Sequence, residues 1–255
     1  MAHLNRKRAA PSSVVRGRVA RASGLLAVTL VAALGLAPGR ASASATSSFG
    51  IDLYRPGVYA MQATWTWCTA ASVEIMRNEV LDATDHSAAD QARFFTYMHA
   101  RDRYPAIDPG VDPLGFLAGL RAFVDPAYRL VASTTFAAAV RSAARQLRLT
   151  NDPVALLVDA GRHAWVLVGF NSTADPASSP AFEVTSVRIV GPLYGRQSSN
   201  GYDPPPDTRL SYAALRRFLL PYTFPYGRTP WDGRFITFQS AGSAWVSSLA
   251  TTRRS

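Results

Sequence analysis

Apolar residues change their spacing partway along this 255-residue chain, and that change limits the folds open to it. Before about residue 150 they recur at helical intervals. Cys68–Val80 carries Ala71, Ile75 and Met76 at helix spacing. Asp85–Ala100 reads as a second helix, with Ser87 placed to cap it, Asp90 three residues on, and Ala92, Phe95, Met98 and His99 following. A loop with Pro105, Pro109 and Gly110 leads to a short helix near Pro113–Phe123, and Thr135–Leu147 is a fourth, alanine-rich helix. After that the period shortens. Val154–Val158 and Ala164–Phe170 are apolar strand runs, and Phe182–Val190 alternates as a third strand. Gly195–Asp207 reads as a long loop, followed by a helix near Tyr212–Leu219 and a strand at Arg234–Phe238. Thr46–Gln62 is a polar, extended lead-in. The sequence shows no internal repeat and no glycine-rich phosphate loop. Helices first and an antiparallel sheet second predict an α+β fold rather than an alternating parallel one. With 48% of its residues apolar, the chain can build a sizeable core.

The net charge of +10 suggests nucleic acid or membrane until it is localised. Residues 1–45 hold seven of the basic residues (Arg6, Lys7, Arg8, Arg16, Arg18, Arg21 and Arg40) and no acidic one, so the remainder of the chain carries +3. That remainder has no arginine run interleaved with aromatics, which excludes a phosphate-tracking surface and hence nucleic acid as a partner. The same 45 residues have the three parts of a secretory signal: a basic stretch, an apolar stretch from Gly24 to Ala37, and small residues at Ala41–Ala45. The expected organisation is a signal peptide over 1–45, cleaved before Ser44 or Thr46, and one exported domain over 46–255. An uncleaved membrane anchor is the alternative. An apolar run of about 14 residues is short of the roughly 20 that a span needs, so contact with the membrane is expected to be transient. No Arg-Arg pair precedes the run, which points to the general secretory route.

The exported part contains the chain's one cysteine, Cys68. A single thiol forms no internal disulfide and cannot build a zinc ribbon or an iron–sulfur site. In an exported protein it is a buried small hydrophobe, half of an intermolecular bridge, or a reactive group. Its setting favours the last. Cys68 follows Thr66-Trp67 and opens a helix, where free backbone N–H groups and the macrodipole favour a thiolate. Gln62, six positions earlier, can loop back and donate its amide to an oxyanion. His163 opens an apolar strand in the segment GRHAWVLVGF, where a neutral imidazole can take a thiol proton and later return it. Other residues have plainer readings. Of Trp65, Trp67 and Trp165, at least two belong to the core and the rest to a cleft. His86 and His99 lie on surfaces or helix faces. Asp82, Asp85 and Asp90 lack the offsets of a calcium loop. Asp203, ahead of Pro204–Pro206, reads as part of a stiff loop or as a carboxylate that approaches the site.

Gln62, Cys68 with its small-residue helix, and His163 followed by Trp165 and Gly169-Phe170 together resemble the papain-like cysteine peptidases, nearest to their compact C39-like branch. From Asp52-Leu53-Tyr54-Arg55-Pro56-Gly57 to about Phe238 the chain also resembles a group of exported actinobacterial proteins of this class. The resemblance implies a papain-like α+β fold, no cofactor and no metal, and a peptide or protein substrate. It implies Cys68 as nucleophile, His163 as base and Gln62 as oxyanion donor, performing thiol-based acyl transfer, in the simplest case peptide-bond hydrolysis. One position departs from the family. An orienting Asp or Asn is expected on the strand after the histidine, and Gly191 stands at the matching place in FEVTSVRIVGPLY. Two further functions are therefore compatible with the same scaffold: binding of a peptide or cell-wall component without catalysis, and amidase or transpeptidase work on cell-wall peptides. If Gly191 faces the imidazole Nδ1, Gly191→Asp is expected to raise activity.

Overall fold

The computed structural model describes residues 48–196 and 203–242, so the signal segment expected at 1–45 lies outside the described residues. The first two helices are α1 (Cys68–Leu81) and α2 (Ala88–His99). They are joined by a turn that Asn78 holds, its side chain donating to Asp85 O at 2.7 Å and accepting from Asp85 N at 3.1 Å. Ser87 caps α2 by accepting from Asp90 N, as the sequence predicts. Helix α3 (Pro113–Phe123) begins with Pro at its first position and Asp112 accepting from Leu114 N and Gly115 N. Helix α4 (Phe136–Thr150) is capped by Thr135 and ends on Asn151 in the left-handed region. A one-turn α5 covers Tyr212–Leu215.

The strands are β1 (Phe49–Asp52), β2 (Tyr128–Ser133), β3 (Val154–Val158), β4 (His163–Ser172), β5 (Val184–Val190), β6 (Thr208–Ser211) and β7 (Phe235–Ser240). They form one antiparallel sheet in the order β2-β7-β3-β4-β5-β6. β1 pairs antiparallel with Gly169–Ser172, on the flank of β4 that β3 leaves open beyond Leu167. The fold is thus α+β with an antiparallel sheet. Upstream of residue 150, however, β1 and β2 join the helices. β6, just beyond the expected loop, was likewise not legible as a strand.

Both faces of the sheet are covered, which explains why β3 and β4 read as unbroken apolar runs instead of alternating. Ala155, Leu157, Ala164, Val166 and Val168 pack into a core with Val73, Met76, Phe94, Phe116 and Leu120 of α1–α3. Their neighbours Val154, Leu156, Val158, Trp165 and Leu167 pack into a second core with Val140, Leu147 and Leu215 of α4 and α5. Each Val, Leu, Met or Phe among them, fully buried, contributes about 1.5–3 kcal/mol. The two cores clamp the β3–β4 hairpin from opposite sides and fix where its turn, and the histidine after it, comes to lie.

Candidate active site

Cys68 is the first residue of α1, half-buried, with Trp67 before it in a non-helical conformation that makes no side-chain cap. The opening turn of α1 is therefore free of the competing side-chain oxygen that Ser87 supplies to α2. Trp67 instead stacks on Phe95 at 5.6 Å between ring centroids, which anchors the helix start against α2.

His163 reaches the same place from the sheet. The β3–β4 connection contains three successive left-handed residues, Asp159 (φ 52°), Ala160 (φ 57°) and Gly161 (φ 93°). A Cβ on Gly161 would also lie 2.4 Å from the Tyr222 ring, so both conformation and space require glycine there. This tight reversal sets His163 opposite Val158 at the head of β4, where it is 3% exposed.

The imidazole interacts with both Asp203 and Cys68. Nε2 lies 2.9 and 3.2 Å from the two oxygens of Asp203. A carboxylate accepts and does not donate, so Nε2 carries the hydrogen and donates it. The Cys68 thiol interacts with the same ring and raises its affinity for a proton, and with Nε2 on Asp203 the nitrogen left to exchange a proton with it is Nδ1. Burial by itself lowers the affinity of this ring for a second proton. The hydrogen bonds and charges of Asp203 and Cys68 outweigh it and push the His163 pKa up to about 9.

Asp203 is 4% exposed and is the functional candidate that local sequence reasoning placed least well. Besides the imidazole it accepts from Trp165 Nε1 at 2.7 Å and from the Leu193 backbone N–H at 2.7 Å. His163 and Trp165, two apart on β4, point the same way and share this carboxylate, as strand alternation dictates. Trp165 is core, as expected, yet its indole N–H belongs to the site. Asp203 approaches the site; it is not merely part of a stiff loop.

The expectation for Gly191 is corrected by the same geometry. A Cβ there would lie 2.5 Å from Asp203 Cγ and 2.6 Å from Asp203 Oδ2. The position does border the imidazole's carboxylate, but the space is taken, and the nitrogen concerned is Nε2 rather than Nδ1. Gly191→Asp in the natural chain would collide with Asp203, so it is expected to lower activity, not raise it.

Gln62 is fully buried on the segment before α1. Its N–H donates to Pro192 O at 2.9 Å, its carbonyl accepts from Arg196 Nη1 at 2.8 Å, and its side-chain amide donates to Thr64 O at 2.7 Å. The amide has a second N–H, but Gln62 is not among the residues lining the cleft. The structure brings Cys68 and His163 together in one cleft that Gln62 does not line. Gln91 of α2 braces this segment by donating to Met61 O at 3.0 Å and to Glu74 Oε2 of α1 at 2.7 Å, and by accepting from Ala63 N at 2.8 Å.

Cys68 and His163 line a cleft of about 410 Å³. Asp108–Val111, Tyr222–Tyr226, the exposed Trp65 and the buried Leu157 also line it. Trp65, 56% exposed, is held by Arg196 over its ring at 4.7 Å. Elsewhere, His86 is exposed and His99 stacks on Phe95 and bonds Asp108 O at 2.8 Å. The three aspartates near α1 and α2 pair with arginines: Asp82 with Arg55, Asp85 with Arg77, Asp90 with Arg93. Among the described residues no group of three or more His, Cys, Asp or Glu is placed to hold a metal ion, and no helix is long and apolar enough to cross a membrane.

Fold and contacts together define an α+β protein with a Cys–His–Asp array opening on a mostly apolar cleft. No family model, curated protein or solved structure matches the chain.

Proposed function

We propose that this chain is an exported papain-like cysteine hydrolase that cleaves peptide bonds by acyl transfer through Cys68. The observation that carries this reading is the buried His163 ring, hydrogen-bonded through Nε2 to Asp203 and lining one cleft with the Cys68 thiol that interacts with it. A thiol, a base and a group that orients the base are the three parts a covalent acyl-transfer site needs.

In the forward step His163 Nδ1 takes the thiol proton and the sulfur attacks the substrate carbonyl carbon. The carbonyl π electrons move to oxygen, giving a tetrahedral oxyanion at the start of α1, where backbone N–H groups and the helix dipole favour negative charge. Gln62 adds its second amide N–H if the segment carrying it moves toward the cleft on binding. Collapse of the intermediate expels the amine, which leaves with the proton from Nδ1, and a thioester remains on Cys68. Water, losing a proton to the same nitrogen, attacks the thioester; the C–S bond breaks, the carboxylic acid departs, and the Cys68 sulfur takes the proton back from Nδ1. Asp203 stays bonded to Nε2–H throughout and stabilises the imidazolium that forms in each half.

The binding-scaffold alternative rested on a missing orienting carboxylate, and Asp203 removes its motive. A peptidyl acyloxymethyl ketone, which alkylates activated thiols, tests the proposal. We expect the natural chain to be labelled at Cys68 near neutral pH, Cys68→Ala not at all, and His163→Ala at least about 100-fold more slowly. Folded natural protein that takes no label would defeat the hydrolase reading. Product analysis on protein and cell-wall peptides then separates peptidase from amidase or transpeptidase.

A further inference from the structure

We infer that the carboxylate orienting His163 occupies a seat that two chain positions can reach, and that Gly191 is a positioning residue because its missing side chain leaves that seat to Asp203. This rests on the hydrolase reading above and adds to it which residues must cooperate to hold the imidazole.

The seat is defined by its donors. His163 Nε2, Trp165 Nε1 and the Leu193 N–H converge on the two Asp203 oxygens at 2.7–3.2 Å. Two of the three donors belong to β4, and the third follows Gly191 by two residues. The strand end and the turn after β5 thus form a socket independently of the loop that fills it. Asp203 comes from outside, on the far side of the 195–207 connection.

Gly191 borders that socket. The first side-chain atom at 191 would lie 2.5 Å from Asp203 Cγ and 2.9 Å from Asp203 Cβ, far inside van der Waals contact. Backbone conformation does not explain the glycine, because 191 is not among the glycines with φ in the left-handed region. Space does. A carboxylate built from 191 would enter the volume the present one fills and meet the same N–H donors. Two carboxylates cannot share it, by overlap and by like-charge repulsion. Glycine at 191 and aspartate at 203 are one unit, and the complementary pair should serve equally.

The test compares the natural chain with Gly191→Asp, Asp203→Gly and the double exchange Gly191→Asp/Asp203→Gly. Readouts are turnover of a cleaved peptide across pH, thiol labelling, and titration of the His163 ring by NMR, which needs no activity. Either single change should lower kcat by at least about 100-fold with KM little altered. Asp203→Gly should move the ring titration toward lower pH, and Gly191→Asp, which adds a second carboxylate beside the ring, toward higher pH. The double exchange should recover kcat to within about 10-fold of the natural chain and restore the ring titration. A folded double variant no better than Asp203→Gly overturns the shared seat. So does a Gly191→Asp variant with natural activity and titration.

If the double variant does not fold, Gly191→Ala decides. Its added methyl should lower thermal stability and disturb the ring titration in the natural background, and do neither when Asp203 is already glycine. Equal effects in both backgrounds overturn the inference. Loss of labelling in the natural chain with the ring titrations as expected counts against the hydrolase reading and leaves the seat standing.

Discussion

At the scale of the residue, Trp165 joins the core to the chemistry. Its ring packs 4.8 Å from Phe218 in the second core, and its indole N–H reaches Asp203. Trp165→Phe keeps most of the apolar bulk and removes that donor. We expect a stability loss of about 1–3 kcal/mol from the unpaired buried acceptor, together with a roughly 10-fold fall in kcat as the carboxylate loosens. Denaturant titration and turnover on the same preparation check this, and unchanged kcat would place Trp165 in the core alone. The site was legible in the sequence where its residues announce themselves locally. Cys68 is a lone thiol at a helix start, and His163 heads an apolar strand. Asp203 does neither: it lies 40 residues beyond His163 in a Gly- and Pro-rich loop, and only folding brings it in. Its nearest sequence signal was the glycine at 191, which reads as a missing carboxylate and is in fact the room made for one.

At the scale of the element, the helices were legible from periodicity, helped at α2 by the Ser87 cap, whereas the Asp112 cap of α3 and the Thr135 cap of α4 emerge only in the structure. Strands β3 and β4 were legible as apolar runs because the sheet is buried on both faces. β2 and β6 escaped because they are the outer strands of the sheet and two residues of each face solvent, so neither carries a long apolar run. The segment before α1 has no regular structure, yet it is fixed by Gln91, whose amide reaches both sides of Gln62 and, through Glu74, the helix bearing Cys68. Gln91→Leu leaves Met61 O, Ala63 N and a Glu74 oxygen without these partners. Buried groups so orphaned should cost at least about 2 kcal/mol. Hydrogen exchange should show segment 61–64 opening more readily in Gln91→Leu than in the natural chain. Equal protection would mean that the bonds from Pro192 and Arg196 hold the segment by themselves.

At the scale of the whole molecule, its buried ionisable groups set a common direction for stability against pH. Burial, with the charge of Asp112 beside it, pushes the Asp102 carboxyl up to about 8, and burial pushes Glu74 and Glu79 up to about 7. His163 is raised as well. A group that binds its proton more tightly folded than unfolded stabilises the fold at low pH and loses that contribution as pH rises through its folded value. For Asp102 the window runs from the ordinary carboxyl range up to about pH 8. Asp102→Asn should therefore match the natural chain near pH 3 and exceed it increasingly up to about pH 8, as read by urea unfolding. A difference independent of pH would show that Asp102 binds its proton equally in the folded and unfolded chain. The strand order carries a consequence of another kind. β7, the last strand in chain order among the described residues, inserts between β2 and β3 in the middle of the sheet. Until Phe235–Ser240 has emerged, β2 has no partner and the layer beneath α3 and α4 stays open. A chain made or exported from its N-terminus therefore cannot complete its sheet strand by strand. It must wait, with its thiol already present, for its final strand, and such non-local closure makes for slow folding and an aggregation-exposed intermediate.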